Sequence, residues 1–106
     1  MTIHETIVQE IVGKILSVAK PERVILFGSA ATGFMTPDSD LDLLVVEKSV
    51  KNPREEMVKI REALSGVGMP VDIIVMASER FEETRNVIGG IAYPANKYGK
   101  VIYEAA

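Results

Sequence analysis

A chain of 106 residues has room for one hydrophobic core and one site, not for a core plus a second lobe. Its apolar fraction of 47% and charged fraction of 25% are those of a folding globular domain, and a net charge of -3 with scattered basic residues disfavours a sequence-blind nucleic-acid binder. No cysteine is present, which removes disulfides, thiolate zinc sites and thiol nucleophiles, so any metal must be held by oxygen.

The N-terminus MTIHETIVQE carries charges where a signal peptide would have its apolar core, and no run reaches the roughly 18 apolar residues a membrane helix needs. The expected location is the cytoplasm, without a membrane anchor. Thr2 and Glu5 have a capping-box spacing, and Ile3, Ile7, Ile11 and Ile15 recur every four residues beside Val8, Val18 and Ala19. This predicts an amphipathic helix ended by Lys20-Pro21. His4, in its first turn, reads as a solvated residue, because no second histidine exists to make a catalytic or metal pair.

Arg23 to Phe27 predict a buried strand that Gly28-Ser29 stops abruptly. Ala30 to Met35 are expected to form one or two helical turns, and Thr36-Pro37-Asp38-Ser39 a polar loop. A second strand is predicted from about Asp40 to Glu47. Asn52 as N-cap, Pro53 at the first helical position and Glu55 in the first turn open a second long helix with Met57, Ile60, Leu64 and Val67 on its apolar stripe, finished by Gly66 and Gly68. Val71 to Met76 predict a third strand interrupted only by Asp72. Ser78 is expected to cap a helix through Glu82 and beyond, with Phe81, Val87 or Ile88 facing inward, until Gly89-Gly90 breaks it. Pro94 to Tyr98 read as a short turn ended by Gly99, and Lys100 to Glu104 as a last strand. Residues 1–106 are thus expected to form a single domain of the α/β (α+β) class, one mixed β-sheet with helices packed on it.

The acids are the unusual feature. Asp40 and Asp42 are at i and i+2, so on a strand both carboxylates leave one face while Leu41 and Leu43 leave the other. Asp72 is a third carboxylate in an apolar run. Three carboxylates from two adjacent strands make an all-oxygen site suited to Mg²⁺, and two such ions would serve in-line phosphoryl or nucleotidyl transfer. The Gly28-Ser29 turn supplies backbone amides and a hydroxyl for phosphate oxygens. Asp38, Asp40 and Asp42 also have the opening spacing of an EF-hand, but Leu43 and Ser49 fall where that loop needs glycine and glutamate.

Gly-Ser, ten residues, Asp-x-Asp and a third Asp in a later apolar strand resemble the DNA polymerase β-like nucleotidyltransferase superfamily, and the short length is similar to its minimal nucleotidyltransferases (MNT). The resemblance implies that Gly28 and Ser29 contact the nucleotide phosphates, that Asp40 and Asp42 are bridging ligands of two Mg²⁺ ions, and that Asp72 is the third ligand and the base. Many members place an arginine shortly after Gly-Ser, where it contacts the triphosphate. Here Ala30, Ala31 and Thr32 stand in that stretch.

Larger members hold the acceptor with extra domains, for which this length leaves no room, so the acceptor is expected from another chain. The resemblance implies an antitoxin paired with a helical HEPN protein, moving AMP from ATP to a tyrosine hydroxyl of that toxin. Two other readings fit the same residues. One is a non-catalytic module of this fold that neutralises a partner by covering it. The other is a nucleotidyltransferase acting on a small molecule, with a homodimer building the acceptor site.

Overall fold

The computed structural model describes residues 5–28, 31 and 40–105. Their order is α1 (Glu5–Leu16), β1 (Arg23–Phe27), β2 (Leu41–Glu47), α2 (Pro53–Ala63), β3 (Val71–Ala77), α3 (Ser78–Thr84), α4 (Ala92–Tyr98) and β4 (Lys100–Glu104). Four strands make one mixed sheet in the order β3-β2-β1-β4, with β1 antiparallel to β2 and β4, and β2 parallel to β3. This matches the expected fold class. Thr2, Ile3 and His4, and the helical turns and polar loop expected over residues 30–39, lie outside the described residues apart from Ala31, which is helical.

Strand alternation sorts the core into two layers. Val24, Leu26, Leu41, Leu43, Val45, Ile73 and Val75 leave one face of the sheet and meet Ile11 and Ile15 of α1 and Ile60 of α2. Ile25, Leu44 and Val46 leave the other face and meet Phe81 of α3 with Ala92 and Ala95 of α4. Buried on both faces, β1 and β2 read as nearly continuous apolar runs. The parallel step from β2 to β3 requires a crossover, and α2 provides it across the first face.

The start of α2 follows the predicted chemistry: the Asn52 side chain accepts from the Glu55 backbone N–H at 3.2 Å, and Pro53 takes the first turn, where its missing N–H loses nothing. Several expectations need correction, among them the end of α2, which stops at Ala63, short of Gly66. α1 ends at Leu16, short of Lys20-Pro21, because Ser17 to Ala19 close on Gly13 to Ile15 in tight turns and the Ser17 hydroxyl donates to the Lys14 carbonyl at 2.6 Å. Val18 and Ala19 still pack on the core from that turn. Ser78 does not cap α3; the N-cap is Ala77, and the Ser78 hydroxyl donates to the Glu22 carboxylate. α3 stops at Thr84, which leaves Val87 57% and Ile88 80% exposed, so Phe81 alone of the three enters the core.

What the sequence suggested as a turn at 94–98 is the helix α4, whose small residues Ala92 and Ala95 let it lie close on β1. Gly99 is required by that closeness: a Cβ there would overlap the Ala95 carbonyl oxygen and an Ile25 methyl group.

Candidate metal and nucleotide site

Asp42 is the second residue of β2, in phase with Leu44 and Val46 and out of phase with Leu41 and Leu43, so it leaves the face covered by α3 and α4. Register then decides its neighbours. Phe27, the last residue of β1, is its antiparallel partner, and Asp72 is its parallel partner on β3. Phe27, Asp42 and Asp72 therefore form one row across three adjacent strands, about 4.8 Å apart from strand to strand. Moving β3 by one residue would send Asp72 to the other face and end the pairing.

Among the described residues, this row lies beyond the part of the face that α3 and α4 cover. Phe81, Ala92 and Ala95 pack on Ile25, Leu44 and Val46, while Asp42 is half-buried and Asp40 and Asp72 are exposed. Asp40 precedes β2 by one residue and still acts on Asp42. Burial first, then the charges of Asp72 and Asp40, push the Asp42 carboxyl above its usual range. A cation between these groups would reverse that push.

Gly28 sits directly beyond Phe27 with φ +71°, and a Cβ on it would overlap the Asp42 carboxylate. The glycine thus does more than end a strand. It lets the backbone turn against the carboxylate, and Ala31 closes the turn by donating to the Gly28 carbonyl at 3.2 Å. Ser29, expected to face phosphate, lies outside the described residues.

Among the described residues no three acid or histidine side chains gather into a ready metal cage. Asp42 and Asp72 are brought together by register, and Asp40 is near enough to act by charge alone. The donor set still fits Mg²⁺, which is commonly held by one or two carboxylates while phosphate oxygens and water complete the octahedron. A cavity of about 210 Å³ lies elsewhere, at the opposite end of the strands, lined by Glu22, Arg23, Val46, Ser78, Phe81 and Glu104. There Arg23 pairs with Glu104 at 3.6 Å and lies 5.6 Å from the Phe81 ring centroid, so its charge is already engaged.

Residues 5–92 match the family model described as the nucleotidyltransferase domain. The chain belongs to that family. No curated protein matches it. Among solved structures, a presumed nucleotidyltransferase of Sulfolobus solfataricus is 25% identical, with a TM-score of 0.65 over 93% of this chain and 78% of that one. A chain from a toxin-antitoxin complex with AMP-PNP is 15% identical, with a TM-score of 0.70 over 92% of this chain and 73% of that one. A chain from the complex of a tri-AMPylated Shewanella oneidensis HEPN toxin with its MNT antitoxin is 14% identical, with a TM-score of 0.65 over 97% and 74%. The nucleotidyltransferase fold expected from Gly-Ser and the three acids is therefore the fold of this chain, and the structures that share it include a chain from an MNT–HEPN complex. Among the described residues no helix is long and apolar enough to cross a membrane.

The sequence reading missed one acid. Glu47 at the end of β2 is buried on the face opposite to Asp42, and the signal was its place in phase with Leu41, Leu43 and Val45 in LDLLVVE.

Proposed function

We propose that this nucleotidyltransferase domain moves AMP from ATP to a hydroxyl, a tyrosine of a HEPN-type helical partner, as the antitoxin of a toxin-antitoxin pair in the cytoplasm. The observation that carries the reading is the row Phe27, Asp42 and Asp72 with Gly28 turned against Asp42 at the open end of the sheet. In this reading Asp40, Asp42 and Asp72 hold Mg²⁺, two ions in the full site, and Gly28 and Ser29 present backbone amides to the triphosphate. The metal supplies charge neutralisation on the phosphates and a lowered pKa for the attacking hydroxyl. Asp72, exposed at the row's outer end, takes the hydroxyl proton as the oxygen bonds to the α-phosphorus and pyrophosphate departs.

The test is mass spectrometry of the partner after incubation with ATP, Mg²⁺ and this protein. The expected result is the mass of one or more AMP groups, absent with Asp42→Ala. No adduct with any nucleotide overturns the reading.

A second reading, a non-catalytic module that neutralises its partner by covering it, is favoured by Ala30, Ala31 and Thr32, which put no guanidinium where the family commonly has one. Neutralisation that survives replacement of both Asp40 and Asp42 by alanine supports this alternative. Neutralisation that is lost with them supports the transferase.

A further inference from the structure

Glu47 closes β2 in phase with Leu43 and Val45, so its carboxyl enters the layer under α2. The residue is 8% exposed, and its Oε2 atom is buried without a hydrogen-bond partner. Within hydrogen-bond reach of it stands Glu56 in the first turn of α2, whose carboxylate pairs with Lys59 Nζ at 2.5 Å. Two ionised carboxylates can only accept, so neither can satisfy the other. A proton on Glu47 turns the orphaned oxygen into a donor and Glu56 into its acceptor. We propose that Glu47 and Glu56 share one proton, and that the resulting carboxylic acid to carboxylate bond fastens the first turn of α2 to the end of β2 and is released as pH rises.

The surroundings agree. Burial first, then the bond to Glu56 and the Glu56 charge, push Glu47 up to about 7, with Lys59 opposing. Glu56 moves the other way, held down foremost by the bond from Glu47 and further by Lys59, with burial opposing. The charged groups facing Glu47 are thus Glu56 and Lys59, both from α2. β3 brings the uncharged Ala77 opposite it, and Glu22, ahead of β1, commits its carboxylate to the Ser78 hydroxyl.

An acid that holds its proton more tightly when folded adds stability below its unfolded value of 4.5, and that contribution is lost as pH rises through about 7. The lowered Glu56 has the opposite sign: its contribution is present at neutral pH and is lost toward acid. The clamp is therefore strongest on the acid side of neutrality and weakens through it.

The experiment is denaturant unfolding of the full chain between about pH 6 and 9 for wild type and Glu47→Gln, whose amide donates to Glu56 at every pH. Wild type is expected to lose about tenfold in folding equilibrium constant between about pH 6 and 8 and to level off above that, and Glu47→Gln to stay flat and be the more stable protein at the alkaline end. Parallel profiles, or a less stable Glu47→Gln at the alkaline end, overturn the proposal. A second readout does not depend on that variant folding: the carbon-13 carboxyl resonance of Glu47 in wild type. A midpoint near 7 is expected, falling toward the ordinary range in Glu56→Gln, where an amide donates to an ionised Glu47. A wild-type midpoint below about 5 overturns it.

Discussion

β2 carries two perturbed acids, and its two ends use them in opposite ways. Asp42, at the start of the strand, leaves the face whose helices stop short of it, and it is crowded by the like charges of Asp72 and Asp40. Glu47, at the other end, leaves the face closed by α2 and has a carboxylate with its own lysine as neighbour. Both carboxyls are raised, the first beside exposed acids, the second in a closed layer. The raised pKa alone does not distinguish them. What does is access: an open row of acids can be relieved by a cation and phosphate from solution, whereas a closed pair can be relieved only by a proton.

The contrast should break most sharply at Asp42. Asp42→Ala is expected to lower AMP transfer by about 10³-fold or more, since it removes the carboxylate central to the row, while Glu47→Gln is expected to leave the rate within a few-fold at pH 7. A comparable loss in both variants would erase the distinction between a working end and a structural end. Next in size is Phe81→Ala, which empties the main apolar contact under α3 and should cost about 3–5 kcal/mol in denaturant unfolding. Because Phe81 packs toward Val46, this loss should appear in stability before it appears in Mg²⁺-nucleotide binding.

Gly28→Ala should cost about 1–3 kcal/mol, combining a positive φ with a methyl group driven into the Asp42 carboxylate. Its nucleotide affinity should fall as well, measured by calorimetry, because the carboxylate must move. The smallest effect is expected at Asn52→Ala, about 1 kcal/mol from the lost cap of α2, and it should be additive with changes at Asp42.

Much of this arrangement was legible in the sequence. β1 and β4 have the predicted bounds because apolar runs between turn residues leave little choice, and the Asn52-Pro53 start of α2 is written in local chemistry. Ser78 misled because its hydroxyl found an acceptor on Glu22, distant in the chain, instead of a backbone amide next to it. Val87 and Ile88 misled because a seven-residue α3 ends before they can turn inward, and Ala92 and Ala95 of α4 fill that layer instead. At the site, Asp-x-Asp and Asp72 were visible as acids in apolar runs. That they would meet from two adjacent strands was expected from the sequence; the residue-for-residue pairing of Asp42 with Asp72 was not readable, since it depends on the parallel register of β2 and β3. Glu47 stayed hidden for the converse reason: a glutamate at a strand end looks solvated until the helix above it is placed.

The most direct measurement is a calorimetric titration of Mg²⁺-ATP into the wild-type chain and into Asp42→Ala and Asp72→Ala, with and without a chelator. Saturable binding that needs Mg²⁺ and is lost in both variants is the expected result. Binding that is unchanged in the variants or indifferent to Mg²⁺, or no binding to the wild type at all, would contradict the assignment of the Phe27, Asp42 and Asp72 row as the metal-nucleotide site.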